Sequence, residues 1–271
     1  MRILISSLLL SGLLMGSVAF AQQTTPPFEA VETLVVEVLE TYPHDPLAFT
    51  QGLLIHEGVF YESTGQYGES DIRSVNIETG EVLRQFALPE EIFAEGLARV
   101  DDRLIQISWR EQGAIVYQLE AGANEATFVP DSILPYTGEG WGLCYDGSNL
   151  YMSDGSSALT VRDATTFEPQ ARIAVTLYGL PVENLNELEC VGEHIWANVW
   201  MTDTIVRIDK ATGRVDGVVN ASQLLDEATR NSLDGNAVLN GIAYDSEQDN
   251  YLITGKLWAS MFRVNFVPAT E

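Results

Sequence analysis

The chain has 271 residues, and its 14 Lys and Arg against 39 Asp and Glu give a formal net charge of −25. This balance argues against nucleic acid as a partner, because phosphate contacts need a concentrated basic face. It equally argues against charge-driven docking to an anionic membrane. Hydrophobic residues make up 46% of the chain, which is enough to fill a core and excludes a wholly disordered protein.

Residues 1–21 predict a secretory signal peptide. Arg2 supplies the positive start, an apolar run follows from Ile3, and Ala19-Phe20-Ala21 is a small-x-small cleavage site. The apolar run is shorter than the ~20 residues that a membrane-spanning helix needs. We therefore expect an exported protein, periplasmic or secreted, with a flexible lead-in over residues 22–30.

Beyond the lead-in, short alternating apolar and polar runs are separated by turn signals such as Glu78-Thr79-Gly80 and Lys210-Ala211-Thr212-Gly213. Many short strands with regular turns predict an all-β sandwich, barrel or propeller. The stretch Ser222 to Asn231 is the exception. We expect a short helical insertion there, over residues 222–231.

An internal repeat distinguishes among these architectures. Five segments begin alike, at steps of 44, 46, 45 and 54 residues: Gln51-Gly52-Leu53, Glu95-Gly96-Leu97, Trp141-Gly142-Leu143, Asn186-Glu187-Leu188 and Asn240-Gly241-Ile242. A period of ~40–50 residues with four short strands is typical of a propeller blade. The sequence thus predicts one five-bladed β-propeller domain over residues 31–271. The fifth unit is too short for four strands, so we expect the run Val31 to Leu39 to complete it and close the ring.

The repeat register also predicts a ring of side chains. Besides the residues that open the five segments, a second equivalent set follows 13 to 16 residues later: Thr64, Trp109, Asp154, Trp200 and Lys256. If both sets reach one end of the ring, they form a Trp-walled pocket with a few convergent polar groups, as small-molecule sites do. Burial among indoles would raise the pKa of Glu95 and suit it to acid/base work. The alternative is that these residues plug the channel structurally.

Eight motifs in order resemble the plant-type glutaminyl cyclases, a family of glutaminyl-peptide cyclotransferases. The resemblance covers about Val31 to Phe266, and its motifs are Tyr42-Pro43-His44-Asp45-Pro46-x-Ala48-Phe49-Thr50-Gln51-Gly52-Leu53, Tyr61-Glu62-Ser63-Thr64-Gly65-x-Tyr67-Gly68, Glu95-Gly96-Leu97, Gly140-Trp141-Gly142-Leu143, Leu185-Asn186-Glu187-Leu188-Glu189, Trp196-Ala197-Asn198-x-Trp200-x-Thr202-Asp203, Leu239-Asn240-Gly241-Ile242-Ala243 and Thr254-Gly255-Lys256-Leu257-Trp258. That family is a five-bladed propeller with exported bacterial members.

The resemblance implies an enzyme that converts the N-terminal Gln of peptides and proteins to pyroglutamate and releases ammonia. It implies Glu95 as the catalytic acid/base, with Asn186 and Lys256 also catalytic. It implies six substrate-binding residues: Phe49, Gln51, Phe93, Trp109, Trp141 and Trp200. The family does not depend on a catalytic metal, so we expect no cofactor and a monomer that acts alone on its peptide substrates.

The remaining candidate ligands give weaker signals. Cys144 and Cys190 lie one position apart in the repeat register, which would place them on opposite strand faces, so we expect no disulfide. The three His have no metal-binding spacing, and His44 sits in a rigid turn. Glu187 and Glu189 either orient Asn186 or, with channel carbonyls, hold a structural Ca²⁺.

Two other function classes stay open at this point. One is a calcium-dependent propeller hydrolase of the lactonase type, which resembling proteins build on six blades and which a chelator would inactivate. The other is a non-catalytic peptide-binding propeller, which would have no need of an acid/base such as Glu95 inside a tryptophan cage.

Overall fold

The computed structural model of the protein describes residues 30–119 and 128–270, and these residues are mostly β-strand. The predicted signal peptide and residues 22–29 of the predicted lead-in lie outside the described residues. The all-β prediction is confirmed. The first strand of the described residues is β1 (Glu32–Pro43), which pairs with strands from the C-terminal part of the chain.

Three four-stranded antiparallel sheets follow, each built from consecutive strands. Sheet 1 contains β2 (Thr50–His56), β3 (Val59–Thr64), β4 (Asp71–Val75) and β5 (Val82–Ala87). Sheet 2 contains β6 (Ala94–Val100), β7 (Arg103–Ser108), β8 (Gly113–Gln118) and β9 (Val129–Pro135). Sheet 3 contains β10 (Leu143–Tyr145), β11 (Asn149–Met152), β12 (Ala158–Asp163) and β13 (Pro169–Ala174).

A two-stranded hairpin and two further groups of strands complete the chain. The hairpin is β14 (Thr176–Leu177) with β15 (Leu180–Pro181). Sheet 4 contains β16 (Leu185–Val191), β17 (His194–Val199), β18 (Thr204–Asp209) and β19 (Val215–Asn220). Sheet 5 contains β20 (Leu239–Asp245), β21 (Asn250–Gly255), β22 (Ser260–Pro268) and β1.

Strand β1 joins the two ends of the chain. It runs antiparallel to β22, from the pair Leu34 and Pro268 to the pair Pro43 and Ser260. The prediction that the N-terminal run completes the last unit is therefore confirmed. The start of β1 also pairs in parallel with β19, which the sequence did not predict, and this pairing makes sheets 4 and 5 one continuous eight-stranded sheet.

The predicted helical insertion is confirmed between β19 and β20. A 3-10 helix covers Ser222–Leu224, and helix α1 covers Glu227–Ser232. The Asp226 side chain caps α1 by accepting a hydrogen bond from Thr229 N at 2.7 Å, which satisfies a helix N–H that would otherwise have no acceptor.

The first strands of the five sheets contact one another in a closed circle, in the order β2, β6, β10, β16, β20 and back to β2. Glycine makes the close approach between neighbouring strands feasible. A Cβ on Gly52 would lie 2.5 Å from the backbone nitrogen of Leu97, and one on Gly142 would lie 2.0 Å from the carbonyl oxygen of Asn186. Glycine is thus a packing requirement at the second residue of the first three repeated segments, at Gly52, Gly96 and Gly142.

Hydrophobic clusters fill the spaces between neighbouring sheets. One cluster lies between sheets 3 and 4 and includes Tyr151, Leu159, Leu188 and Ile195. Burial decreases from the inside outwards: all six residues of β3 are buried, whereas β5 alternates between half-buried and exposed positions. Strands that are buried on both faces can be apolar throughout, and edge strands alternate because one face meets water.

The prediction that the two cysteines are unpaired is wrong. Cys144 of β10 and Cys190 of β16 form a disulfide across sheets 3 and 4. Neighbouring sheets contact each other through opposite faces, so a bridging pair must be one position out of register. Glu189 illustrates this, because it accepts a hydrogen bond from Tyr244 N on the other side, in sheet 5.

Candidate active site

The candidate site lies where the first strands of the sheets begin. Gln51, Glu95 and Asn186 are each the second residue of their strand, in β2, β6 and β16, and Trp141 lies two residues before β10. Because first strands that contact in a circle start at the same end, these side chains converge.

The second predicted set of residues lies at the same end of the sheets, because each hairpin brings the chain back to that end. Trp109, Trp200 and Lys256 directly follow β7, β17 and β21, each of which runs antiparallel to the first strand of its sheet. One backbone hydrogen bond recurs at these positions. Trp109 N donates to Phe93 O at 2.9 Å, and Lys256 N donates to Val238 O at 2.9 Å. The repeat thus fixes the backbone beneath the site.

These residues surround a pocket of about 260 Å³. Its lining includes all nine site residues that the resemblance implied, together with Gln66 and Asn236, which the sequence did not predict: Phe49, Gln51, Gln66, Phe93, Glu95, Trp109, Trp141, Asn186, Trp200, Asn236 and Lys256. Gln66 and Asn236 lie in loops outside the repeat register, so no repeat signal marks them. Thr64, Asp154 and Asn240 do not line the pocket.

Aromatic rings form the walls in edge-to-face pairs. The ring centroids of Trp141 and Trp200 lie 5.4 Å apart, those of Phe93 and Trp109 lie 5.5 Å apart, and those of Phe49 and Phe93 lie 6.2 Å apart. Edge-to-face contacts place the positive edge of one ring against the negative face of another, so the rings hold one another in place. The pocket therefore has walls that are both apolar and ordered.

A chain of hydrogen bonds connects the polar side chains at the base of the pocket. Lys256 Nζ donates to Gln51 Oε1, and Gln51 Nε2 donates to Glu95 Oε1 at 3.2 Å. The Lys256 ammonium also lies 4.6 Å from the ring centroid of Phe49, within cation–π range. Gln51 thus stands between the ammonium and the carboxyl group.

Burial shifts the pKa values of both charged groups towards neutrality. Desolvation raises the pKa of Glu95 well above 4.5; Lys256 opposes this shift, and Glu139 and Glu111 add to it. Desolvation lowers the pKa of Lys256 to about 8, although the negative charges of Glu95 and Glu187 oppose that shift. Two groups that titrate nearer pH 7 than usual are suited to proton transfer.

The backbone of Glu95 is held from behind. Ser63 Oγ donates to Glu95 O at 2.5 Å, and Gln106 Nε2 donates to Ser63 Oγ at 2.8 Å. Tyr117 OH completes the series by donating to Gln106 Oε1 at 2.7 Å. This buried network fixes the position of the carboxyl group without using its side-chain oxygens.

Asn186 presents an unused acceptor. Its side chain is buried, and its Oδ1 has no hydrogen-bond partner among residues 30–119 and 128–270. Its backbone is fixed, because Ser153 Oγ donates to Asn186 O at 2.7 Å. A buried carbonyl oxygen without a hydrogen-bond donor destabilises the folded protein unless a ligand supplies the donor.

Comparison with known proteins shows the family of the chain. The family model for glutamine cyclotransferase matches residues 9–266. A glutaminyl-peptide cyclotransferase from Arabidopsis thaliana is 36% identical over 236 residues, which are 87% of this chain and 72% of that protein. The crystal structure of Myxococcus xanthus glutaminyl cyclase superposes with a TM-score of 0.81 at 37% identity, over 89% of this chain and 100% of that one.

The chain belongs to the glutamine cyclotransferase family. The resemblance stated from the motifs is confirmed, and so is the prediction of an enzyme of the glutaminyl cyclase type.

In this glutamine cyclotransferase family member, His44 makes structural contacts. His44 is buried away from the pocket, with Nδ1 at 2.7 Å from Trp258 O and Nε2 at 3.0 Å from Glu62 Oε1. Burial alone would lower the pKa of His44, but the Glu62 carboxylate prevails and raises it. His44 therefore anchors the segment that leads to Phe49.

Glu187 and Glu189 connect sheets rather than lining the pocket. Glu187 accepts from Leu53 N of sheet 1 at 3.3 Å and from Ile242 N of sheet 5 at 2.8 Å. Glu189 accepts from Tyr244 N at 2.8 Å. Their oxygens are therefore occupied by backbone donors near the centre of the circle.

Three further observations concern metal ligands, membrane-spanning helices and other clefts. Within the described residues, no group of three or more His, Cys, Asp or Glu is placed to hold a metal ion. No helix in residues 30–119 and 128–270 is long and apolar enough to span a membrane. A larger cleft of about 650 Å³ lies at the turns that follow β2 and β20, but it contains no tryptophan and no buried unpaired acid.

Proposed function

We propose that the protein is a glutaminyl-peptide cyclotransferase that closes the N-terminal Gln of peptides and proteins to pyroglutamate, with Glu95 as the acid/base. The observation that carries this proposal is the buried Glu95 carboxyl at the base of a tryptophan-walled pocket, with its pKa raised well above the usual value. The two relatives named above are a glutaminyl-peptide cyclotransferase and a glutaminyl cyclase.

The chemistry moves one proton between two nitrogens of the same substrate. The neutral α-amine attacks the γ-carboxamide carbon, a C–N bond forms, and the attacking nitrogen must lose a proton. Glu95 takes that proton as a carboxylate and returns it to the departing carboxamide nitrogen, which leaves as ammonia. An acid with a pKa near the working pH serves both halves of this transfer.

The neighbouring polar groups hold the reacting atoms. Asn186 Oδ1, which has no donor of its own within the described residues, accepts from an N–H group of the substrate. The Lys256 ammonium supplies positive charge opposite the carboxamide oxygen, where negative charge develops during attack. The aromatic walls fold the Gln side chain back onto its own amine, which is where an intramolecular reaction gains most.

The ring arrangement of the site rests on a five-bladed propeller. Five four-stranded units, a closed circle of first strands and hydrophobic clusters between neighbouring units support this architecture over residues 31–271 as a single domain. In such a ring, β1 closes the last blade and leaves few open strand edges.

The cellular setting is part of the proposal. Residues 1–21 direct export to the periplasm or the medium, where the protein works as a monomer without a cofactor on peptides that begin with Gln. Cleavage after Ala21 would expose Gln22, itself a substrate of this type. Mass spectrometry of the mature N-terminus tests the cleavage site and the conversion of Gln22 together.

The activity is tested by incubating the purified protein with a Gln-initiated peptide and following the mass loss of one ammonia. Glu95→Gln should keep the fold and lower turnover by ~10²–10⁴-fold, the usual contribution of a positioned proton-transfer group. Glu91→Gln, which removes an exposed carboxylate four residues earlier, is the matched control. A well-folded Glu95→Gln protein with normal turnover refutes the role of Glu95, and an inactive wild type that still binds the peptide favours a peptide-binding propeller.

A further inference from the structure

The loop between β9 and β10 places a carboxylate between two walls of the pocket. Glu139 Oε2 accepts a hydrogen bond from Trp109 Nε1 at 2.8 Å and another from Trp141 Nε1 at 3.1 Å. The two indoles come from different sheets, since Trp109 follows β7 of sheet 2 and Trp141 precedes β10 of sheet 3. One oxygen atom therefore links the two walls.

Arg110 completes this arrangement. Its Nε donates to Glu139 Oε1 at 3.0 Å, and its guanidinium lies 3.6 Å from the ring centroid of Trp109. Burial alone would raise the pKa of Glu139, but the two indole donors and Arg110 prevail and lower it. Glu139 is thus a carboxylate across the neutral pH range, with three donors on its two oxygens.

The backbone beneath Glu139 is held as firmly as its side chain. Gly140 N donates to Trp109 O at 3.0 Å. A Cβ on Gly140 would lie 2.6 Å from the hydroxyl oxygen of Tyr136 and 2.9 Å from Ser108 O, so the loop fits only with glycine at this position. Glu139 consequently projects from a fixed point rather than from a mobile loop.

We propose that Glu139 is a positioning residue, which holds the indoles of Trp109 and Trp141 at the separation that an N-terminal Gln needs. This inference rests on the proposed cyclotransferase activity. An indole whose N–H group is tied can no longer rotate freely about its own side-chain bonds. A wall that moves by a fraction of an ångström admits unproductive substrate conformations, and an intramolecular reaction is sensitive to that loss.

A purely structural salt bridge would behave differently. The Glu139 side chain is 37% exposed and that of Arg110 is 58% exposed. Exposed ion pairs of this kind contribute little to the free energy of unfolding. Replacement of Glu139 should therefore leave stability nearly unchanged while it alters kinetics, and this separates the two roles.

Three substitutions of Glu139 separate the effect of its side-chain length from the effect of its charge. Glu139→Gln keeps an oxygen at the same distance but removes the charge. Glu139→Asp keeps the charge but shortens the side chain by one methylene, so that it cannot reach both indoles from a fixed backbone. Glu139→Ala removes both. Glu111→Gln is the matched control, because Glu111 is a second acid near Glu95 that contacts Tyr67 and neither indole.

The positioning role predicts a specific order of kinetic effects on a Gln-initiated peptide. Glu139→Ala and Glu139→Asp should lower kcat/KM by ~10–100-fold, as expected when hydrogen bonds to a charged group are lost, mainly through a higher KM. Glu139→Gln should recover most of that loss, and Glu111→Gln should show only the small change that follows from removing a negative charge near Glu95. Wild-type kinetics in Glu139→Asp, or a loss in Glu139→Ala no larger than that in Glu111→Gln, would show that reach to the indoles does not matter and would overturn the inference.

Nuclear magnetic resonance gives a readout that does not depend on activity. The indole N–H resonances of Trp109 and Trp141, assigned with Trp109→Phe and Trp141→Phe, should shift upfield in Glu139→Ala while those of Trp196 and Trp258 stay in place. Unchanged resonances of Trp109 and Trp141 would refute the bridge. A wild-type protein that releases no ammonia refutes the proposed function, whereas an active wild type with unaffected Glu139→Ala refutes only the positioning role.

Discussion

Gln51 donates a hydrogen bond of 3.2 Å from its Nε2 to Glu95 Oε1 while its own Oε1 accepts one from Lys256. A direct ion pair between Lys256 and Glu95 would stabilise the carboxylate and lower the pKa of Glu95. The neutral carboxamide keeps the two charged groups apart, so burial can hold the pKa of Glu95 well above its usual value. Gln51 therefore protects the acid/base character of its neighbour.

Replacement of Gln51 should expose this relationship. In Gln51→Ala the carboxamide is lost, Lys256 can approach Glu95 directly, and the pKa of Glu95 should fall. We expect kcat/KM to drop by ~10–100-fold, the equivalent of hydrogen bonds to charged groups, and the acidic limb of the pH–rate profile to move to lower pH. Asn236→Ala is the control, since Asn236 lines the pocket but is exposed. An unmoved acidic limb would show that Gln51 does not separate the charges.

The pH dependence of kcat/KM should be bell-shaped. Activity rises with pH as Glu95 loses its proton, above the usual carboxyl pKa of 4.5, because burial and the charges of Glu139 and Glu111 raise its pKa against the opposing charge of Lys256. Activity falls again near pH 8, where Lys256 loses its proton. In Lys256→Arg the positive charge persists and the alkaline fall should disappear. A wild-type kcat/KM that is flat from about pH 6 to 10 would contradict both assignments, because kcat/KM follows the pKa values of the enzyme without substrate.

The buried Glu189 should make the protein less stable at alkaline pH. Desolvation raises the pKa of Glu189 to about 8 in the folded chain, from 4.5. The folded chain thus holds an extra proton between these values, and the stability this provides is present below pH 4.5 and lost as pH rises to about 8. Relative to Glu189→Gln, the wild type should lose more than about 1.4 kcal/mol of unfolding free energy across that window.

Urea unfolding of both proteins at pH 5 and pH 9 measures this difference, with the exposed Glu193→Gln as control. Parallel changes in the wild type and in Glu189→Gln would assign the pH dependence to other groups.

Removal of metal ions should leave turnover unchanged. Among the described residues that line the pocket, Glu95 is the one acid, and Gln51 connects it to the Lys256 ammonium. The positive charge of Lys256 repels a catalytic cation. The measurement is ammonia release before and after dialysis against EDTA. Loss of activity that Ca²⁺ restores would instead indicate a structural ion or the lactonase-type alternative.

The repeat explains how much of this protein could be predicted from its sequence. Gln51, Glu95 and Asn186 occupy equivalent positions at strand starts. The repeat period alone therefore predicts that they lie at one end of the sheets. The register did not extend to loops, so it gave no sign of Gln66 in the pocket. The sequence also does not show that Glu139 reaches two indoles from different sheets.

The cysteine prediction failed for a geometric reason. The prediction treated β10 and β16 as strands of one sheet, in which side chains at equivalent positions lie on the same face. In two sheets that pack against each other, residues that meet are on opposite faces, so the one-position offset between Cys144 and Cys190 favours a bridge. The same rule applies to every pair of neighbouring units in this chain.

The Cys144–Cys190 bridge spans 46 positions of sequence and encloses the hairpin of β14 and β15. Tyr178 and Leu180 are the exposed apolar residues of that hairpin, at 58% and 70% exposure. A protease of chymotrypsin specificity would cut after Tyr178, whereas Pro181 blocks a cut after Leu180. After a cut in the hairpin, the disulfide still links the two fragments until a reductant breaks it. In the exported enzyme proposed above, the bridge would keep both fragments attached after a cut of this kind.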